Sequence, residues 1–256
     1  MIEQERQVFI MDRLRERGFV SVKDLMKDLE TSRSSVMRDL SSLEGRGLLV
    51  RTHGGASLPG VNETLSRMSE PDVREKGNVN AGKKRAVSEA AAKTVQAGMC
   101  LYLDSGTTPV YLLPYISHLE VRIVTPSVYL LKHLPEHAKA EVVLLGGVYD
   151  EKYDMNTGAY CLSMLDQFRF DAGFFSANAI DLKTGHVMVA DFGLSAMKQR
   201  AMERSIRKYL LADETKTGRI ASCTYAALNE FDAVFTNRCK GVNVPDNVIR
   251  VKEKET

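Results

Sequence analysis

Three short runs in this 256-residue chain combine glycines, hydroxyls and lysines in the way an anion site would. The first is Asp104-Ser105-Gly106-Thr107-Thr108-Pro109. Gly106 would let an oxyanion approach the backbone. Thr107 and Thr108 offer hydroxyl donors where a helix is expected to begin, and Pro109 suits a first helical position. Free N–H groups at such a start favour phosphate. The second run is Gly146-Gly147 after Leu144-Leu145, where missing side chains leave room for a ligand or a neighbouring loop. The third, Ala212 to Gly218, puts Lys216 at a strand end. Each alone is an ordinary strand–helix connector. Three in one sheet, all suited to an anion, point to a phosphate site.

A second kind of chemistry lies nearer the N-terminus. Val36, Leu40 and Leu43 recur at helical spacing and predict a buried stripe. The opposite face carries Arg33, Ser34, Met37, Arg38 and Ser41, with Ser32 among the possible N-caps. Gly45 and Gly47 close the helix, and Leu48 to Val50 lead into Arg51, Thr52 and His53 before Gly54-Gly55. A solvated amphipathic helix explains any one of these arginines. Caps, a buried stripe and a basic hairpin together are better explained by a helix presented to the DNA major groove with a wing beside it. The reading set is Ser32, Arg33, Ser34, Met37, Arg38, Ser41, Arg51 and His53.

The elements that must hold these residues follow from periodicity. A first helix over 4–17 puts Val8, Met11 and Leu14 on one side, and Ser21 with Asp24 makes a capping box for the next helix. Residues 58–79, rich in Gly, Ser, Pro, Asn and charge, read as a linker between a DNA-binding domain at 1–57 and a larger domain at 80–256. In that domain strands and helices alternate: a helix from Lys83 to Gly98, strands at 99–103, 121–124, 141–145, 172–176, 209–212 and 233–236, and helices at 109–117, 128–134 and 194–207. The fold class is α/β, a mostly parallel sheet covered on both faces. Its ligand belongs at the carboxyl ends of the strands.

Composition narrows the function further. A net charge of +2 supplies no global field toward nucleic acid, so DNA affinity must be local. Cys100, Cys161, Cys223 and Cys239 are widely separated, with no CxxC pair, which indicates neither zinc nor a disulfide framework. His133 and His137 are interrupted by Pro135, so no metal site is expected. Asp181, Asp191 and Asp213 show no pairing that demands acid–base work. No apolar signal core or membrane-length run is present, which predicts a cytoplasmic protein without cofactor. A lone winged domain makes few phosphate contacts, so a homo-oligomer, dimer or tetramer, on repeated half-sites is expected.

The chain resembles the DeoR family of bacterial sugar-metabolism repressors. That family's signature runs like TIRRDL…L…G…RTHGGA. Here Ser35-Val36-Met37-Arg38-Asp39-Leu40 is followed by Leu43, Gly47 and Arg51-Thr52-His53-Gly54-Gly55-Ala56. Met37 stands in place of the first family arginine. The larger domain is similar to the family's sensor domain, whose fold is like ribose-5-phosphate isomerase. Its lysine helix, D-x-GTT, TNS, LLGG and D-S-S-K motifs correspond to Lys84-Arg85-Ala86-Val87, Asp104 to Thr108, Thr125-Pro126-Ser127, Leu144 to Gly147 and Asp213 to Lys216. Pro126 replaces the usual Asn, and Asn178 could supply a similar polar group. The resemblance implies a repressor of a carbohydrate-metabolism operon, released or tightened on operator DNA by a phosphorylated sugar. Its phosphate would sit at the Gly106–Thr108 loop. The implied effector set is Lys84, Asp104, Ser105, Gly106, Thr107, Thr108, Ser127, Gly146, Gly147, Asn178 and Lys216. The competing expectation is a sugar-phosphate isomerase with a fused DNA-binding domain.

Overall fold

The computed structural model describes residues 3–17, 19–52, 54–57, 64–237 and 245–253. The chain forms two compact units, divided between Glu63 and Thr64.

The first unit runs α1 (Glu3–Arg17), β1 (Phe19–Ser21), α2 (Val22–Asp28), α3 (Arg33–Gly45), β2 (Val50–Thr52) and β3 (Gly55–Ser57). Its strands form an antiparallel sheet in the order β1-β3-β2. Ile10, Leu14, Val20, Val22, Leu25, Leu29, Val36, Leu40, Leu43, Leu49 and Ala56 make one core. The expected phase of α1 is corrected. Ile10 and Leu14, four residues apart, are fully buried and bring Gln7 with them, while Val8 is 61% exposed. Val8 lies about 200° around the helix from Ile10, so both cannot face the core. Half of the expected capping box forms: Ser21 Oγ accepts from Asp24 N–H at 3.0 Å and donates to Asp24 Oδ2 at 2.7 Å. Both helices of the helix–turn–helix end in the same way. In α3, Leu48 N–H reaches Leu43 O and Gly47 N–H reaches Glu44 O, with Gly47 at φ +69°. In α2, Thr31 and Glu30 N–H reach Met26 and Lys27 carbonyls, with Glu30 at φ +45°. This double closure consumes two orphan carbonyls per helix and needs a left-handed residue between them.

The second unit begins with α4 (Val73–Gly77) and α5 (Ala81–Ala92). It continues β4 (Cys100–Leu103), α6 (Thr107–Val110), α7 (Leu113–Ile116), β5 (Arg122–Thr125), α8 (Val128–Leu131) and β6 (Glu141–Leu144). Then come β7 (Val148–Asp150), β8 (Met155–Thr157), α9 (Ala159–Leu165), β9 (Phe170–Ser176), β10 (Ala179–Asp181) and β11 (His186–Val189). Last are α10 (Phe192–Glu203), β12 (Ser205–Leu211), β13 (Cys223–Ala227), β14 (Ala233–Thr236) and β15 (Val248–Arg250). Seven strands form one all-parallel sheet in the order β15-β14-β12-β9-β4-β5-β6. Strand alternation sends Leu101, Leu103 and Phe174 to one layer, with Val87, Leu113 and Ile116 of α5 and α7. It sends Tyr102, Phe175 and Leu210 to the other, with Leu165 of α9 and Leu194, Met197 and Ala201 of α10.

The parallel core matches the expected alternation, and several boundaries differ. The single helix expected at 109–117 is two short ones. The helix expected at 194–207 stops at Glu203, because Ser205 already pairs with Phe170 in the ladder. The hairpin β7–β8, the antiparallel sheet β10-β11-β13 and edge strand β15 were not anticipated. At three to five residues each, they carry too little alternation to read. Residues 64–79, expected as linker, pack on the second unit: Leu65 bridges Ala221, Val73 N–H donates to Lys152 O at 3.0 Å, and Glu70 is 3% exposed. Among the described residues no helix is long and apolar enough to cross a membrane.

Candidate functional site

The polar face of α3 is open. Ser32, Arg33, Ser34, Met37, Arg38 and Ser41 are all exposed, while Val36, Leu40 and Leu43 are buried beneath them. Ser32 is the N-cap, its Oγ accepting from Ser35 N–H at 3.3 Å. That geometry lifts the helix start and gives Ser32 a structural task. Arg33 and Arg38 have no hydrogen-bond or ion-pair partner among the described residues, so both guanidinium groups are available to an external anion. Arg51 is used differently. Its Nε pairs with Glu44 at 2.9 Å, its guanidinium also reaches Ser41, and its N–H donates to Glu44 Oε1 at 3.0 Å. It fastens the first wing strand to α3. His53 lies outside the described residues. Buried Asp39, next to Arg38, takes Arg6 of α1 in a bidentate pair at 2.7 and 3.1 Å. This contact locks the orientation of α3 against α1 and was not anticipated.

At the carboxyl ends of β4, β9 and β12 in the second unit, charged side chains converge. Asp104 follows β4 and is buried. Its Oδ2 accepts from Ser176 N–H at 2.9 Å and from Ser176 Oγ at 2.5 Å, and it pairs with Lys198 Nζ. Lys198 also donates to Ser176 O at 3.1 Å. Burial pushes the Lys198 ammonium down, against the pull of Asp104. Asp104 is therefore neutralised from within. Gly106 caps α6 with an ordinary φ of −68°. A Cβ there would lie 2.0 Å from Ser176 Oγ, so glycine is required by Ser176. α6 starts at Thr107, which makes Pro109 its third residue and corrects the expected first position. Ser105 and Thr108 are buried in the same turn, and Thr108 O accepts from Ser88 Oγ at 3.0 Å.

Lys84 reaches this turn from α5. It is 3% exposed, and its Nζ donates to Thr107 Oγ1 at 2.8 Å, Lys76 O at 2.6 Å and Gly77 O at 3.2 Å. None of these acceptors carries a charge. Burial, then repulsion from Lys216, lowers the Lys84 pKa to about 8. Lys216 is likewise pushed down by burial, and its Nζ has no hydrogen-bond or ion-pair partner among the described residues. Asp213, 1% exposed, uses Oδ1 to cap its own turn at Thr215 N–H and to accept from Asn80 at 3.3 Å. Its Oδ2 has no partner among the described residues.

Other expected site residues have local work. Ser127 Oγ caps α8 by accepting from Leu130 N–H at 3.0 Å. Gly146 lies under Met164, and at Gly147, φ +146°, a Cβ would come within 2.3 Å of Thr157 O. Packing thus accounts for both glycines. Asn178 Oδ1 accepts from Ala190 N–H at 3.1 Å, and its Nδ2 donates to buried Glu70. The acids weighed for proton transfer also have posts: Asp181 holds Lys183 N–H and Thr184 in a turn, and Asp191 caps α10 and pairs with Arg67. His133 is occupied by Tyr129 O, and no group of three His, Cys, Asp or Glu that could hold a metal occurs among the described residues.

Ser176, Lys198, Asn80, Glu70 and Lys76 escaped sequence reading. Lys198 did carry a signal, since it occupies the buried phase of α10 among Leu194, Met197 and Ala201. A cation there needs a partner. Glu70 and Lys76 lay in a polar stretch with no periodicity to mark them.

A family model described as the DeoR C terminal sensor domain matches residues 79–238, and one described as a DeoR-like helix-turn-helix domain matches residues 6–60. The chain is similar to an uncharacterized HTH-type transcriptional regulator, FruR, of Bacillus subtilis, at 31% identity over 93% of this chain and 92% of the relative. It is 32% identical to a lactose phosphotransferase system repressor of Staphylococcus aureus, over 91% and 92% of the two chains. An L-fucose operon activator of Haemophilus influenzae is 28% identical over 97% and 96%. Among solved structures, ribose 5-phosphate isomerase A of Methanocaldococcus jannaschii overlaps 54% of this chain and 55% of its own, at 18% identity and a TM-score of 0.40.

Proposed function

The chain belongs to the DeoR family of transcriptional regulators, and from that premise we propose that it represses a carbohydrate operon in the cytoplasm, under the control of a phosphorylated sugar. One observation supports the sensing half above the rest. Lys84 and Lys216 are two desolvated ammonium groups that act on each other electrostatically, with no carboxylate in direct contact among the described residues. Glu70 and Asp104 pair directly with Lys76 and Lys198, while Asp213 acts on Lys84 and Lys216 only through its field, with no carboxylate in hydrogen-bond contact with either ammonium among the described residues. A buried charge of this kind is unfavourable alone and favourable once a counter-charge arrives. A phosphate monoester, close to a dianion at neutral pH, meets both ammoniums, Thr107 and the open N–H groups at the start of α6. Asp213 Oδ2 offers an acceptor to a sugar hydroxyl nearby.

The reading half rests on Arg33, Arg38, Ser34, Met37 and Ser41, exposed on α3 in the arrangement of a recognition helix. The two halves act as a homo-oligomer, since paired winged domains on repeated half-sites gain affinity by linkage. Effector binding shifts the population of sensor states, and the states differ in operator affinity. On this reading the protein carries out no turnover; Asp181 and Asp191 are engaged in turns or caps, and Asp213 Oδ1 caps its own turn. A thermal-shift screen of the full chain against pentose and hexose phosphates tests the reading, because a ligand bound only by the folded state raises Tm. Stabilisation by phosphorylated sugars and not by their unphosphorylated forms is expected. Conversion of any of them to its isomer would overturn the regulatory reading.

A further inference from the structure

Resting on that reading of the anion site, we propose that residues 64–77 form a strap across the site that the arriving phosphate releases, Glu70 being the internal anion it displaces. The strap is seated at three points. Leu65 N–H donates to Ile220 O at 2.9 Å, and Ser222 N–H returns to Leu65 O at 2.9 Å. In the middle, Glu70 is buried and fully engaged: its carboxylate accepts from Lys76, from Asn178 Nδ2 and, at 2.9 Å, from Tyr153 Oη. At the far end Gly77 O accepts from Tyr111 Oη at 3.1 Å and Lys84 Nζ at 3.2 Å, and Lys76 O accepts from Lys84 at 2.6 Å. A Cβ on Gly77 would meet Tyr129 Oη at 2.2 Å, so the strap end lies close against α8.

Lys84 is the pivot. It holds the carbonyls that end α4 with the same ammonium that holds Thr107 of the anion turn. An ammonium has three donors, and all three are occupied. A phosphate oxygen beside Thr107 must take at least one of them, and a charged acceptor outcompetes a neutral carbonyl. The phosphate also repels the Glu70 carboxylate and attracts Lys76, its partner. Glu70 and Lys76 both act electrostatically on Lys216, which puts all three in one field. Ligand entry therefore weakens the central and distal seats together. In the sequence only residues 58–63 separate the strap from Ser57 of the wing, so the strap is the part of the second unit next in sequence to the DNA-binding domain.

The test uses the full chain with inorganic phosphate, fructose 1-phosphate and glucose 6-phosphate as probes. Hydrogen–deuterium exchange reads the strap, thermal shift reads binding, and retention of a DNA fragment selected by the chain from a random pool reads output. In wild type, a bound probe should raise exchange in 64–77 several-fold. Glu70→Gln removes the competing charge and should bind inorganic phosphate several-fold tighter. Its strap should exchange faster before any probe is added, and its DNA retention should sit near the probe-bound level. Tyr153→Phe, which keeps the ring and removes one donor, should move in the same direction by less. If probes bind wild type and 64–77 exchanges unchanged, or if Glu70→Gln has wild-type affinity and wild-type DNA response, the strap proposal falls and the anion site stands. If no probe shifts Tm in wild type, the anion site falls and takes the strap with it.

Discussion

The two units of this protein keep their cations in opposite states. On α3, Arg33 and Arg38 stand exposed, with no partner among the described residues, on a helix whose other face is core. At the sheet's carboxyl end, Lys84 and Lys198 are buried, and burial lowers the pKa of both. The difference follows from the size of the anion to be met. A duplex is a long surface of phosphates, which an exposed planar guanidinium meets as the surfaces come together. A single small anion cannot wrap its partner. Its site must be preorganised and dry, so that each ammonium gains more from the anion than it lost on burial. Guanidinium suits the first case because it never loses its charge. Ammonium suits the second, and becomes titratable as a consequence.

Substitution of Lys216 should show the largest effect. Lys216→Met removes an ammonium that has no hydrogen-bond or ion-pair partner among the described residues. Sugar-phosphate affinity should fall about 30-fold or more, the cost of losing a desolvated charge partner being roughly 2–5 kcal/mol. Tm without ligand should hold or rise, because a desolvated charge has gone. A fall in Tm together with unchanged affinity would show that Lys216 is structural.

Arg38→Ala should come next, and only on the DNA side. Loss of a base-reading arginine costs about 1–3 kcal/mol. Tm and sugar-phosphate affinity should be unchanged, as the side chain is exposed and unpartnered. A salt titration sharpens the result: a slope reduced by about one assigns Arg38 to a phosphate, and an unchanged slope with relaxed sequence preference assigns it to a base.

pH separates the two kinds of cation in the unmodified protein. Lys84 titrates near 8, below its ordinary 10.5, because burial disfavours the charged form. Between those values the unfolded chain retains a proton that the folded chain has shed, so ligand-free stability rises with pH across that window and is lowest below about pH 8. Anion binding runs the other way, since it needs the ammonium. Sugar-phosphate affinity should drop by up to about tenfold per pH unit above 8, measured by calorimetry, with a proton taken up on binding. Operator affinity should stay level from about pH 7 to 9, because guanidinium groups remain charged there.

The smallest effect is expected at Ser32. As the N-cap of α3 it supports helix stability, so Ser32→Ala should destabilise the first unit by about 1 kcal/mol. Ser34→Ala, two residues on and exposed, loses a hydroxyl contact to Ser32 Oγ at 2.8 Å but not the cap itself, so it should cost less stability than Ser32→Ala and weaken DNA binding slightly. Equal stability losses in the two variants would erase the distinction between capping and reading.

Much of this arrangement was open to inspection in the sequence. The helix–turn–helix was legible because its determinants are local: Ser21 and Ser32 as caps, Gly47 at a left-handed end, and Val36, Leu40 and Leu43 at helical spacing. The parallel core was legible for the same reason, since buried stretches such as residues 172–175 are short apolar runs between helices. The turn from Asp104 to Thr108 and the lysines at 84 and 216 announced an anion by residue type. What tertiary structure alone decided is which polar groups spend themselves on one another. Gly106 makes room for Ser176, 70 residues later, and Asp104 is neutralised by Lys198, 94 residues later. Gly147 yields to the backbone of Thr157, and Glu70 in an apparent linker meets Asn178 across 108 residues. No local pattern encodes such pairs, because a buried charge or a missing side chain is answered by whatever the folded chain brings alongside. Removing the groups already answered leaves Lys84 and Lys216 with no carboxylate in direct contact among the described residues, and that remainder is what the proposed anion site rests on.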